Sequence, residues 1–297
     1  MEPFVYEKRA CVPMLTIPLL DRQAPGTIAG ISVRGSGERQ TAGTSCEQVL
    51  ADASCYHYSL HLKTDDPEDV VPNREQLVHA LKFTPEAWTC ADQVHGKRIA
   101  RVSLAERGAG FRAHDTAIAA TDGLITEETD VLLTAFFADC VPLFYWDAAS
   151  GAIGIAHAGW RGTVAGIAGE MVAHMQVAFH SDPANVHVAI GPSIGACCYE
   201  VDDRVATALR KQLANVPEPD VCQAVIQQAE AHDERRYMVD LKQANAAILR
   251  RAGVAAAHIH VSRYCTCCDE QLFFSHRRDG ERAGRMAAWI GRRKDEH

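Results

Sequence analysis

The run Val131-Leu-Leu-Thr-Ala-Phe-Phe137 constrains this chain more than any other segment. It is continuously apolar apart from one threonine and shows no alternation, as expected of a strand covered on both faces. Two more apolar stretches follow at once, Val141–Trp146 and Ala152–Ala156. The Asp147-Ala-Ala-Ser-Gly151 segment between them reads as a hairpin turn. With 297 residues, 47 % apolar and 23 % charged, the chain has the profile of a soluble globular protein, with core enough to need no staples. The length allows one large domain or two small ones.

The rest of the chain supplies the other layers. Residues 1 to about 45 read as irregular around a short β-like run, Ile28–Val33. A helical pattern opens near Asn73, with Val78 and Leu81 on one face. Thr163 reads as the N-cap of a helix carrying Ile167, Met171 and Met175 at four-residue spacing. Val186–Ile190 reads as a strand, and a helix carries Val201, Val205, Leu209 and Leu213. Residues 214–235 are polar and read as a surface excursion. Asp240 opens a helix through Ile248, and His258–Val261 is a last short strand. Strands and helices alternate loosely without repeats or low-complexity linkers. That order favours α/β or α+β with a mixed sheet.

The net charge of −8 argues against a nucleic acid polymer as partner, though not against a small anion held locally. No run approaches the roughly 18 apolar residues of a membrane span, and the first residues do not read as a signal peptide. A cytoplasmic location is expected, where thiols stay reduced. Eleven cysteines is an odd number, so a complete intramolecular disulfide set is impossible. Nothing in the sequence sets an oligomeric state.

Three segments place a metal-competent side chain beside small residues: Gln93-Val-His95-Gly96, Ala138-Asp139-Cys140, and His157-Ala-Gly-Trp160-Arg161-Gly162. Imidazole and thiolate suit zinc, and three protein ligands leave a fourth position for water or substrate. Their spacings match no compact zinc finger, so spacing alone leaves open that these are ordinary turn and core residues. The third segment enters a helix, whose N-terminal N–H groups, with Arg161, suit an anion. Cys197-Cys198 and Cys265-Thr-Cys267-Cys268 suggest soft-metal ligands but lack a complementary pair at finger spacing. Neighbouring buried thiols are the safer reading. The stretch His276 through Arg285 is locally basic.

The order of QVHG, TDGLIT (Thr121–Thr126), ADCVPL, HAGWRG, IGPSIGACCYEV and CTCCDEQLFFSHRRDGERAGRMA resembles the YfiH family, also called the laccase-domain or multicopper polyphenol oxidase family. The resemblance runs from about Ile28 to Ile290. It implies an α/β (α+β) single-domain sandwich of mixed β-sheets and helices, of the cytotoxic-necrotizing-factor/YfiH type. The domain would occupy residues 1–297, with 1–27 an irregular N-terminal extension.

The resemblance implies a metal site of His95, Cys140 and His157, holding zinc, with copper possible. It implies phosphorolysis of adenosine, inosine, guanosine and methylthioadenosine, and deamination of adenosine, so the partners would be a purine nucleoside and phosphate. Alternatives are a copper-dependent polyphenol oxidase, or a hydrolase editing peptidoglycan precursors with Cys140 as nucleophile and His157 as its base. Cys140, Asp139 and Arg34 are candidate catalytic residues, Asp139 for proton handling or for orienting a ligand histidine. Arg34 and Arg161 are candidate contacts for anion or ribose. The loop after Arg34, Gly35-Ser-Gly-Glu-Arg39 with Cys46 and Cys55 beyond, departs from the family pattern, as does His61-Leu-Lys-Thr-Asp65.

Overall fold

The computed structural model describes residues 1–34, 57–60, 65–214, 216, 220–229 and 235–294. The divergent loop after Arg34, with Cys46 and Cys55, and residues 61–64 lie outside them. The N-terminal third contributes β1 (Val5–Arg9), β2 (Val12–Thr16), α1 (Leu19–Gln23), β3 (Thr27–Ser32), α2 (Pro67–Ala80) and β4 (Trp88–Cys90). The middle contributes β5 (Ile99–Arg101), β6 (Gly123–Thr126), β7 (Val131–Phe137), β8 (Val141–Asp147), β9 (Ala152–Ala158), α3 (Trp160–Val164), α4 (Ile167–Phe179) and β10 (His187–Ile190). Then come β11 (Glu200–Asp202), α5 (Asp203–Leu213), α6 (Val221–Val225), β12 (Ile226–Gln228) and β13 (Arg236–Val239). The chain ends through α7 (Leu241–Arg251), β14 (Ile259–Val261), α8 (His276–Asp279) and β15 (Met286–Arg292).

Two six-stranded mixed sheets carry the fold, ordered β1-β2-β3-β15-β7-β4 and β14-β10-β8-β9-β6-β5. The run at 131–137 explains why. Val131, Leu133, Ala135 and Phe137 of β7 pack with Phe144 and Trp146 of β8 and Ile153 and Ile155 of β9, so the sheets meet face to face. Leu132 and Phe136 point the other way, into a cluster with Leu77 and Val78 of α2. The outer face of the second sheet is covered by α4, α5 and α7 through Met171, Met175, Leu209 and Ile248. A strand covered on both sides needs apolar residues at every position, which is the pattern read from the sequence. No helix among the described residues is long and apolar enough to cross a membrane. The mixed, layered architecture is the one expected.

Local expectations fared unevenly. The helix from Asp240 forms with that residue as its N-cap, accepting from Gln243 N at 3.0 Å. Residues 1–27 are not irregular: β1 and β2 extend the first sheet. Met14 and Leu15 are fully buried because β2 pairs with β3, so the order comes from a distant partner. Thr163 is no N-cap. Its helix starts at Trp160, and α4 starts behind Gly166, whose φ of +82° breaks the rod. Buried Thr163 instead accepts from Asn245 Nδ2 at 3.0 Å. The helix read near Asn73 begins at Pro67, capped by Asp66. Within 214–235, Val225 and Ile226 are buried, and β12 joins β11 and β13 in a small third sheet.

Candidate active site

The site forms where the chain passes from one sheet to the other. β7 belongs to the first sheet and β8 to the second, and Ala138-Asp139-Cys140 makes the passage, with Asp139 at φ +88°. His157 lies in β9, paired with Pro142 of β8, so it stands beside Cys140. His95 arrives on the loop between β4 and β5. One donor atom from each of His95, Cys140 and His157 lies within 4.8 Å of the others. Cys140 Sγ is 3.9 Å from His95 Nε2, and the two imidazoles meet edge to face at 4.7 Å.

A residue not singled out from the sequence organises this cluster. The buried Asp122 carboxylate accepts from the backbone N–H of Val94 (3.2 Å), His95 (3.0 Å) and Gly96 (2.7 Å), and stands 2.8 Å from His157 Nδ1. His95 has φ +61°, a conformation that costs a non-glycine residue about 1–2 kcal/mol. Hydrogen bonds to a charged acceptor contribute about 1.5–3 kcal/mol each, so three of them hold the loop in that shape. A carboxylate can only accept, so His157 Nδ1 carries the hydrogen and Nε2 is left for the site. Burial pushes Asp122 up, but the His157 bond and the backbone N–H groups more than offset it, so it stays below the usual carboxylate value. The signal was in the sequence: Asp122 is the acid of TDGLIT, before a buried strand.

Electrostatics couple Cys140 to His157. Burial disfavours the thiolate, yet the adjacent His157 charge and the hydrogen bonds from His157 and His95 bring Cys140 down to about 6. Burial likewise disfavours the imidazolium, but the Cys140 charge and Asp122 raise His157 to about 9. Both shifts run toward a thiolate–imidazolium pair, each charge favouring the other. Gly159 completes the cradle. A Cβ there would lie 3.0 Å from both Cys140 Sγ and His95 Cδ2, so any other residue would intrude on the donors. Two nitrogens and one thiolate, converging and with one histidine oriented from behind, fit a zinc or copper ion.

The cluster opens into a cavity of about 490 Å³, also lined by Ser59, Gln93, Phe136, Tyr199, Arg277 and Arg285. Gln93 is fixed by paired bonds with Phe136 N (2.8 Å) and O (3.0 Å). Burial keeps the Tyr199 phenol protonated well above its usual value. Burial lowers the Arg285 guanidinium, and the charges of Asp65, Cys140 and Asp139 partly restore it.

Residues 46–293 match the profile of the multi-copper polyphenol oxidoreductase laccase family. The chain belongs to this laccase-domain, or YfiH, family. It is 44 % identical to the purine nucleoside phosphorylase YlmD of Geobacillus stearothermophilus over 270 residues, 91 % of this chain and 92 % of that one. It is 43 % identical to the Bacillus subtilis YlmD, also called a purine nucleoside phosphorylase, over 78 % of this chain and 80 % of that one. The crystal structure of the Geobacillus protein superposes with a TM-score of 0.84 at 41 % identity, covering 99 % of this chain and all of that one. A Bacillus licheniformis YfiH structure gives 0.83 at 36 % identity, covering 97 % and 99 %.

In this laccase-domain chain Arg34 and Arg161 lie outside the described cavity lining, whereas Asp139 is part of it. Asp139 lines the cavity but does not orient a histidine. Its carboxylate accepts from Thr266 Oγ1 and Arg277 N, both at 2.6 Å, tying the ADC turn to the C-terminal segment; the orienting acid is Asp122. Arg34 lies 3.9 Å from Asp279 and over the Phe274 ring, outside the described cavity lining. Arg161 is exposed and stacks on Trp160, also outside it. Among the described residues, the cations that line the cavity are Arg277 and Arg285, from the basic stretch near the C-terminus. Sequence proximity to HAGWRG favoured Arg161, but α3 turns its side chain outward.

Proposed function

We propose that this protein is a zinc-dependent purine nucleoside phosphorylase that also deaminates adenosine, acting on adenosine, inosine, guanosine and methylthioadenosine in the cytoplasm. The observation that carries the reading is the convergence of His95, Cys140 and His157 at a nucleoside-sized cavity that also presents Arg285. The names of the curated relatives support the same class. His95, Cys140 and His157 would hold the ion. Bound there, it supplies positive charge and Lewis acidity.

The remaining work falls to the chain. In phosphorolysis a phosphate oxygen bonds to C1′ as the bond from C1′ to the purine nitrogen breaks. The purine leaves with the electron pair and takes up a proton. Arg285, with Arg277 also at the cavity wall, holds the phosphate and offsets the charge it brings. Protonated Tyr199 offers a neutral donor at the cavity wall. Asp122 keeps His95 and His157 in place throughout. The test is to load the purified protein with zinc and follow adenosine, inosine and phosphate by chromatography. Ribose 1-phosphate and free base are expected, and a Cys140→Ala variant should make neither. Unchanged turnover in that variant sinks the assignment.

One observation favours a second reading. A thiolate near neutral pH beside an imidazolium is the pair that cysteine hydrolases use. Under that reading Cys140 attacks an acyl group, as in editing of peptidoglycan precursors. A thioester trapped on metal-free protein decides for it.

A further inference from the structure

Cys197, Cys198, Cys265 and Cys268 were expected to be neighbouring buried thiols. Cys197 and Cys268 are instead exposed, Cys198 is half-buried, and only Cys265 is buried. All four Sγ atoms lie within 4.8 Å of one another. Cys268 Sγ is 3.5 Å from Cys197 Sγ and 3.3 Å from Cys198 Sγ. We propose that these four cysteines form a second metal site, a closed tetrahedral tetrathiolate for zinc that braces the wall of the cavity.

The topology builds the site from two loops. β10 and β14 are parallel neighbours, and the pairing continues past their ends as a parallel bridge between Ser193 and Cys265. The chains leaving these strands therefore run side by side. In the first loop a turn over residues 196–198 is closed by Cys198 N and Tyr199 N donating to Gly195 O, both at 3.0 Å. A turn, unlike a strand, lets adjacent side chains face one way, so Cys197 and Cys198 both reach Cys268. In the second loop Asp269 N donates to Cys265 O at 2.8 Å, and Cys265 and Cys268 end one turn. The Cys-x-x-Cys half of a zinc site is thus present as Cys265-Thr-Cys-Cys268. Its complement is a vicinal pair rather than a second Cys-x-x-Cys, which hid it in the sequence.

Three features prepare the site for anionic sulfur. Gly195 N donates to Cys265 Sγ at 3.2 Å, as backbone N–H groups do to metal thiolates. A Cβ at Gly195 would lie 3.2 Å from Cys197 Sγ and 3.4 Å from Cys265 Sγ, so the glycine keeps the sulfurs' space clear. Cations hold both loops. Arg277 donates to Cys198 O (3.1 Å) and Glu200 O (3.0 Å), and Arg278 to Thr266 O (3.0 Å) and Cys267 O (3.1 Å). Lys242 Nζ donates to Tyr264 O at 2.7 Å, next to Cys265. On binding, each thiol releases its proton to solvent, and these cations offset the two negative charges that four thiolates around a divalent ion leave over. Zinc–sulfur bonds of about 2.3 Å in a tetrahedron put the sulfurs about 3.8 Å apart, close to the spacing already present.

The site also has a task. Ile194 and Tyr199 flank the vicinal pair, and both line the cavity together with Arg277. Fixing the two loops to one ion fixes that wall. The inference does not depend on the reaction proposed above, because its donors are separate from His95, Cys140 and His157.

The test uses the full chain, purified under reducing conditions and exposed to zinc. The wild type should bind about two zinc ions per chain and a Cys140→Ala variant about one. X-ray absorption on the zinc of that variant should show four sulfur neighbours. Adding Cys197→Ser and Cys268→Ser should remove the remaining ion and lower the melting temperature by more than about 5 °C. Should the triple variant fail to fold, cobalt titration of Cys140→Ala gives the answer without it, through intense sulfur-to-cobalt charge-transfer absorption. Zinc-free Cys140→Ala with no cobalt spectrum would overturn the proposal. So would a peptide map showing Cys268 disulfide-bonded to Cys197 or Cys198 in the reduced preparation.

Discussion

The two cysteine-containing clusters draw on similar donors and arrange them for different ends. His95, Cys140 and His157 offer two nitrogens and one sulfur at the edge of a cavity. They come from three separate loops and strand ends, and a single buried carboxylate, Asp122, positions the histidines. Cys197, Cys198, Cys265 and Cys268 offer four sulfurs from two adjacent turns, held by arginines that grip the backbone. Three protein ligands would leave a bound ion one position open to the cavity, whereas four would close its shell. On the two proposals above, the number of donors and what stands behind them would separate chemistry from scaffolding.

Removing one donor from each cluster strains that contrast hardest. Cys140→Ala should cut nucleoside turnover by more than about 100-fold, beyond the 10–100-fold typical of losing an outer partner, with little change in melting temperature. Cys268→Ser should lower the melting temperature and cost turnover per folded molecule far less than Cys140→Ala, since Cys268 is outside the described cavity lining and acts only through the wall it braces. Parallel assays and thermal melts check both, and variants that lose both properties alike would erase the distinction. Next, Asp122→Asn should weaken zinc at the first cluster by about 10–100-fold and leave the second unaffected, as read by chelator competition. Asn cannot accept from both the His95 loop and His157 with the same charge.

Thiol reactivity sharpens the comparison further. In metal-free protein Cys140 should become half-maximally alkylated near pH 6, because the thiolate is the reactive form. Cys197, pushed up by burial and its cysteine neighbours to about 11, should still be gaining reactivity far above that. Mass spectrometry of alkylated peptides across pH separates them, and His157→Ala should move the Cys140 midpoint upward. The smallest effect lies away from both clusters. Burial, with His258 stacked at 3.8 Å and His260 nearby, lowers His187 to about 4. Below pH 6.5 the unfolded chain takes up a proton that the native state refuses, so stability should fall as pH drops from about 6.5 toward 4. Denaturant melts of a His187→Gln variant should show a shallower fall over that window.

Much of the core was legible from local pattern. The run at 131–137 announced a doubly covered strand, and 167, 171 and 175 announced the buried face of a helix, because burial on a regular element imposes its period on the sequence. The N-terminal hairpin escaped, since β2 is ordered by pairing with β3 and by packing under α2. At the candidate site, His95, Cys140 and His157 were placed through family resemblance, and the geometry brings all three together. Asp122 was overlooked because its partners are 26–35 residues away in the chain. Arg161 was favoured over Arg285 because the sequence displays neighbours along the chain and not across the cavity.

By itself, then, the sequence determined the burial of the central strands and of the main helices, and which motifs carry metal-competent side chains. Those properties depend on residues within a few positions of one another. Only the tertiary structure decided which acid stands behind His157, which arginines face the cavity, and that a vicinal Cys197-Cys198 pair meets a Cys265–Cys268 turn. These depend on the crossing between sheets at Ala138–Cys140 and on the parallel pairing of β10 with β14. Both bring together atoms that the chain itself keeps scores of residues apart.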